Sequence, residues 1–417
     1  MVNIEALLEA IIECYDFIKS LVGERYPSIG NVYELINSLH GSKLMLCRSR
    51  GGRPIYALRY GNKGLPVLVW GGGDANEPLG VLSSITLAKI LELTGLHDRL
   101  GLSVFIVPLL DPDGYVLNKW FDNPYDPKHY AMWSYRPAID DSPEYTFDKQ
   151  HLPETRGLIE LIKDVKPFIV ISLHSQPYPG SYVLVSREIP GLRDVVVRLS
   201  RSFNAPFINV KELFEEYKSI DVGIYSIVGT LSGIGYVVKK GFSTVGIVPD
   251  IAEFYDLGAS IDKPISRNKV KKSMDVINNS LRKCIGRAIN VYNKLKDLCS
   301  SHVLFKSFED NYSNGISLDY VEVDTIAEYV FYYLYGKVWR SMMMFGQLSR
   351  IVIEACREDN EFKDQLKDLN QCMCKAEDLL KRLGLGFLTK SIRDKAAIEV
   401  SLTLHLLYSV KTMYQRL

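Results

Sequence analysis

Two hydrophobic rhythms divide this chain. At the start, Ile4, Leu7, Leu8, Ile11, Tyr15 and Ile18 recur every three or four residues, which predicts an amphipathic helix. From about residue 44 to 255 the pattern changes to short runs rich in Val, Ile and Leu: Val67 to Trp70, Val104 to Val107, Phe168 to Leu173, Val183 to Val185 and Thr244 to Val248. Helix-like segments separate them. Such alternation predicts an α/β fold with a mixed, mostly parallel sheet flanked by helices.

A long helix is expected over about Lys269 to Leu298, then an irregular polar stretch, Ser300 to Leu318, with Asn314-Gly315 as a turn. From Asp324 onward the pattern is helical: Ile326, Val330, Leu334, Val338, Phe345 and Leu348 suggest one long helix, and Ala396 to Tyr414 another. The expected division is therefore an α/β domain over residues 1–298, including the first helix, and an all-helical C-terminal domain over 299–417. A stripe of Phe331, Tyr332, Tyr333, Trp339 and Met342 to Met344 is either buried core or a surface for a partner protein.

Composition narrows the function. Fifty Lys plus Arg nearly cancel 49 Asp plus Glu, and no basic block of the kind that tracks a phosphate backbone occurs, which argues against nucleic acid as a partner. No stretch approaches the roughly 18 uninterrupted apolar residues of a spanning helix, and no positive region precedes the first apolar residues. A soluble, cytoplasmic protein is expected. Seven scattered cysteines, an odd number, suggest reduced thiols, with Cys372 and Cys374 on different helix faces.

Candidate chemistry gathers where strand-like runs end, the place at which open α/β sheets bind ligands. Asp74-Ala-Asn-Glu77 follows the run Pro66 to Trp70 and the glycines Gly71 to Gly73; His174 ends the run from Phe168; Glu253 follows the run Thr244 to Val248. No Gly-Lys-Ser/Thr follows the glycines, so a phosphate loop does not fit. A tight turn leading into a ligand loop does.

Further segments extend the pattern: Cys47 to Tyr60 (CRSRGGRPIYALRY), Leu109 to Tyr115 (LLDPDGY), Pro153-Glu154-Thr155-Arg156, His174-Ser175, Ile224-Tyr225 and Ala252-Glu253-Phe254. In order and approximate spacing they resemble the zinc carboxypeptidases of the carboxypeptidase A type. There the metal turn reads His-x-x-Glu; here Asp74 stands first, and Asp111 replaces the usual Asn of an Asn-Pro-Asp-Gly turn.

The resemblance implies one divalent ion, zinc, held by Asp74, Glu77 and His174, with Glu253 as general base and Tyr225 as the tyrosine that closes over substrate. Asp oxygen is an acceptable zinc ligand. It adds an anion to the ligand set, which weakens the metal as a Lewis acid and admits manganese or another divalent ion. The family's Asn-Arg clamp for a substrate carboxylate is missing. Arg136, in Trp133-Ser-Tyr-Arg-Pro137, is the single arginine between Tyr115 and Glu154, and fills one of the family's arginine roles or a structural one. His97, His129 and His151 match no ligand.

Three readings follow. The first is a metal-dependent hydrolase of amide bonds acting on peptides. The second is an N-acyl amino acid deacylase, echoed by Asn76-Glu77. The third is a non-catalytic carboxypeptidase-like binding protein, motivated by Asp74, Asp111 and the absent Asn-Arg pair.

Overall fold

The computed structural model describes residues 23–213, 217–227, 233–312, 316–355 and 362–415. The helix expected over residues 4–18 and the turn at Asn314-Gly315 lie outside them.

The strands are β1 (Ser42–Arg48), β2 (Pro54–Tyr60), β3 (Leu65–Gly71), β4 (Leu102–Val107), β5 (Ile169–Gln176), β6 (Tyr182–Val185), β7 (Glu212–Leu213), β8 (Tyr217–Asp221), β9 (Ile224–Ser226), β10 (Val245–Ala252), β11 (Phe254–Asp256) and β12 (Phe387–Thr389). Ten of them form one sheet in the order β1-β2-β4-β3-β5-β10-β6-β9-β8-β7. The sheet is mixed. Its parallel pairing runs through the centre, β4-β3-β5-β10, and recurs between β6 and β9, whereas the flanks are antiparallel. Parallel character is thus narrower than the sequence pattern predicted. The centre is apolar because both faces are covered: every position of β5 and β10 is buried, while β1 is largely exposed.

Successive residues of β3 feed opposite layers, as a period of two requires. Val67 and Val69 join the layer containing Leu79, Ile85 and Leu91, whereas Leu68 and Trp70 join that of Leu158, Ile162 and Val237.

The longer helices are α1 (Ile29–Ser38), α2 (Pro78–Thr94), α3 (Pro127–Trp133), α4 (Pro153–Val165), α5 (Leu192–Phe203), α6 (Gly233–Lys239), α7 (Arg267–Cys299), α8 (Val303–Tyr312), α9 (Arg340–Ala355), α10 (Lys363–Leu383) and α11 (Ile392–Gln415). A π-helical stretch, Val330–Trp339, leads into α9. α2 is apolar on all sides, the mark of a helix buried all round. It lies between β3 and β5 on one side and α11 on the other.

Packing crosses residue 298, where the sequence was divided. α7 to α10 do pack as a helical layer, with α9 against α3, but α11 returns to cover α2, α5 and β10, and β12 pairs with β11. One continuous core includes Leu79, Ile247, Trp339 and Leu402. The aromatic and methionine stripe belongs to this core: Tyr333, Trp339, Met342 and Met344 are all buried.

The expectation of reduced thiols is also corrected. Cys284 on α7 and Cys372 on α10 form a disulfide, because the two helices lie side by side with Cα atoms 5.5 Å apart. Cys374 is exposed on another face of α10. Among the described residues no helix is long and apolar enough to cross a membrane.

The start of α2 sits on the sheet without side chains between. A Cβ on Gly80 would collide with the Leu173 carbonyl, and one on Gly71 with the Gly80 carbonyl. Gly80→Ala is expected to cost about 1–3 kcal/mol, the range for forcing atoms into a packed interior. Urea denaturation measures it; an unchanged midpoint would show that the helix can back away from the sheet.

Candidate metal centre

The close approach of α2 to β5 determines which side chains meet. Gly71 to Gly73 turn the chain out of β3, Asp74 and Glu77 follow on the turn, and Pro78 begins α2. A helix start tolerates Pro there because its missing N–H has no partner to lose. His174 is near the end of β5, and Asp250 on β10 is its register partner in the adjacent parallel strand.

Asp74, Glu77 and His174 are all buried, and one ligand atom from each lies within 4.8 Å of the others. His174 Nδ1 is 2.8 Å from Glu77 Oε2 and 3.6 Å from Asp74 Oδ2. Nε2 points the other way, 2.8 Å from Ser172 Oγ and 3.8 Å from Glu144 Oε1. An imidazole with one nitrogen toward two carboxylates and the other anchored on a hydroxyl is oriented as metal-ligating histidines are. The Ser175 N–H donates to Glu77 Oε2, and Trp70 Nε1 donates to Glu144 Oε2.

A cavity of about 360 Å³ opens beside these groups, lined by Asp74, Glu77, Glu144, Asp250, Arg136 and His174, with Tyr145 and Tyr182 on its walls. Four carboxylates face one guanidinium and one imidazole. Burial pushes Glu77 up to about 8, against the pull of His174 and with help from Asp74. Asp250 is pushed up to about 6, again chiefly by burial, with His174 and Tyr182 opposing. Burial works to lower His174, but Glu77 and Glu144 outweigh it and hold the imidazole well above its ordinary value. Asp74 Oδ1, Glu144 Oε1 and Asp250 Oδ1 are buried without a hydrogen-bond partner among the described residues. Buried acceptors in this surplus call for protons or a cation. Two carboxylates and an imidazole are a donor set that a divalent ion accepts.

Arg136 is half-buried at the edge of the cavity. Its guanidinium reaches Asp74 Oδ2 at 2.8 Å and the Tyr145 hydroxyl at 2.5 Å.

Two expected site residues are elsewhere. Glu253, proposed as general base, is three residues beyond Asp250, and odd spacing along an extended chain turns a side chain to the opposite face. There it forms a buried ion pair with Lys395 Nζ of α11 at 2.5 Å and accepts from the Tyr26 hydroxyl at 2.8 and 3.0 Å. Asp250 holds the position facing the cavity, and its signal in the sequence was its place two residues past Val248, on the same face of the same strand.

Tyr225, expected to close over substrate, is wholly buried on β9. Its hydroxyl donates to the Ile208 carbonyl at 2.9 Å and accepts from the Val210 N–H at 3.1 Å, which leaves it nothing to offer a ligand. Asp111 caps its own turn by accepting from the Gly114 N–H at 2.9 Å, and burial pushes it up to about 7. His97 stands near Asp98, His129 on the Lys119 carbonyl and His151 on the Asp140 carbonyl, all apart from the cavity.

No protein-family model and no curated protein matches the sequence. Among solved structures, the chain is similar to proteins provisionally described as metallopeptidases from Shewanella baltica OS155 and Shewanella amazonensis SB2B. The first is 18% identical over 54% of this chain and 84% of that one, with a TM-score of 0.40. The second is 20% identical over 54% and 85%, with a TM-score of 0.39. It is also similar to carboxypeptidase A from Helicoverpa armigera, 12% identical over 60% and 72%, with a TM-score of 0.37.

The ion pair of Glu253 makes its own prediction. Lys395→Met leaves a buried carboxylate without its cation and is expected to destabilise the chain by about 3–5 kcal/mol. The double variant Lys395→Met/Glu253→Leu should recover much of that loss. Thermal unfolding of both decides it; a single variant as stable as wild type would show that Glu253 finds water or another partner.

Proposed function

We propose that the chain is a metal-dependent hydrolase of amide bonds, with peptides or acylated amino acids as substrates. Asp74, Glu77 and His174 hold one divalent ion. The observation that carries the reading is the convergence of these three buried groups beside a further carboxylate, Asp250, whose Oδ1 has no hydrogen-bond partner among the described residues. Nothing in the core's packing requires that arrangement, and leaving it uncompensated is costly. Zinc is the first candidate, and the oxygen-rich donor set keeps manganese open.

When bound, the ion supplies a Lewis acid that polarises the scissile carbonyl. Asp250 accepts a proton from the attacking water and returns it to the leaving amine. Its affinity for protons, raised to about 6 by burial, suits a base working near neutral pH. Arg136 carries a positive charge at the mouth of the cavity, where a carbonyl oxygen that gains negative charge needs donors. Tyr145 keeps that guanidinium in place. Ser172 and Glu144 fix the imidazole of His174, leaving Nδ1 to face the metal position.

Two measurements test the reading. His174→Ala should lose tight binding of the ion, read as metal stoichiometry after dialysis against zinc or manganese; full stoichiometry in that variant would refute the ligand set. Asp250→Asn should keep the metal and lose about a hundredfold to ten-thousandfold in turnover. The assay is a panel of C-terminally free peptides and N-acyl amino acids, which also separates peptidase from deacylase. Wild-type rates in Asp250→Asn remove Asp250 as the base. No turnover by fully loaded wild type on any member would favour a binding protein.

A further inference from the structure

The stretch from Leu117 to Arg136 brings a guanidinium to the metal centre, yet its regular structure amounts to one 3-10 turn, Trp120–Asp122, and the seven-residue α3. A helix that short leaves its last carbonyls without intrahelical partners. Partners reach this stretch from two sides. On the α/β side, Asn118 accepts from the Tyr135 N–H at 2.7 Å and donates to the Tyr135 carbonyl at 3.1 Å and to the Ala75 carbonyl at 2.9 Å. Ala75 lies between Asp74 and Glu77, so the residue before Arg136 is registered against the turn that carries them.

On the other side stand the C-terminal helices. Gln347 Nε2 on α9 donates to the Ala131 carbonyl at 2.8 Å and the Ser134 carbonyl at 3.0 Å. Arg350, almost one turn on, donates from Nη1 to the Trp133 and Ser134 carbonyls, both at 3.2 Å, and from Nη2 to the Leu117 carbonyl at 2.7 Å. On α8 the Ser307 hydroxyl donates to the carbonyl of Arg136 itself. The backbones are close as well: a Cβ on Gly346 would lie 2.5 Å from the Ala131 carbonyl.

Arg350 is 1% exposed, with Glu354 at 3.4 Å from Nε. A buried guanidinium is a costly way to fill space, since an apolar side chain of similar volume stabilises a core at least as well. What it supplies is geometry. Its planar fork serves several fixed acceptors at once, and its charge suits the carbonyl end of a helix. Arg350 does not line the metal cavity. Any influence it has there passes through the backbone of residues 133–136 to the Arg136 guanidinium, 2.8 Å from Asp74 Oδ2.

We propose that Arg350, with Gln347 and Ser307, is a positioning residue for Arg136: the C-terminal helices hold the backbone of this stretch and so set how closely Arg136 approaches Asp74, and with it the affinity of the centre for its ion. Arg136 competes with the ion for Asp74 Oδ2 and repels it. Loosening the hold lets the guanidinium withdraw and the ion bind more tightly. The inference deepens the hydrolase reading and rests on it for the metal.

The test is a double-mutant cycle read as zinc affinity, by competition with a chromophoric chelator, on the full chain well below its unfolding temperature. Arg136→Gln is expected to tighten zinc about tenfold, and Arg350→Met about fivefold, within the range of couplings carried through contacts. In the Arg136→Gln background Arg350→Met should change the affinity by less than about twofold. Arg350→Lys should restore part of the wild-type value. Ser307→Ala, which removes one hydrogen bond, is the milder variant should Arg350→Met not fold, and its smaller shift should likewise vanish with Arg136→Gln. A merely structural role lowers the unfolding temperature without this pattern. The inference is overturned if the folded variants of Arg350 and Ser307 bind zinc as wild type does, or if their shifts persist undiminished in Arg136→Gln. A wild type that binds no ion overturns both readings. Otherwise they fail separately: coupling of Arg350 to Arg136 in a protein without turnover removes the hydrolase and keeps the positioning role, and turnover without that coupling does the reverse.

Discussion

The contact on which the rest depends is the direct seating of α2 on the sheet. Two glycines, Gly71 and Gly80, let the helix start approach the carbonyl of Leu173, the residue before His174. That distance sets the separation between the turn carrying Asp74 and Glu77 and the strand carrying His174. A single methyl group in the gap would move Asp74 and Glu77 away from His174. Packed interiors do not yield smoothly to such insertions, so the site's geometry is held by backbone steric limits rather than by the ligands' own mutual preferences.

Holding acidic groups this tightly has an electrostatic consequence. Burial raises Glu77 and Asp250, and the neighbouring carboxylates Glu77 and Glu144 raise His174 against its own burial. Arg136 stands at the edge of this acidic space and meets Asp74 there.

The C-terminal helices complete the α/β layer. α11 covers α2 and carries Lys395 to Glu253, a pair whose charges are out of water and depend on each other. One turn further along α11, Glu399 is fully buried. Burial holds it well above the usual carboxylate range, with the Ser83 hydroxyl offsetting only part of this. A folded-state value above the unfolded one favours folding at low pH and loses that favour as pH rises. Glu253 is thus met by Lys395, whereas burial favours the neutral form of Glu399.

Much of this was legible from the residues alone. Runs of Val, Ile and Leu marked β3, β4, β5, β6 and β10 because strands covered on both faces must be apolar throughout, and glycines marked the turn that carries Asp74 and Glu77. The stripe from Phe331 to Met344 was readable as either core or surface, since periodicity reports an apolar face without saying what covers it. What tertiary structure decided was which carboxylate faces the cavity and what the last helices do. Asp250 and Glu253 differ by three positions, and choosing between them needs the side of the sheet on which the cavity lies, a relation to α2 and α11 that no local pattern encodes. The return of α11 and the Cys284–Cys372 pairing likewise join residues far apart in the chain. Local sequence sets period and polarity; the partners across a core are chosen by packing, which acts on all elements at once.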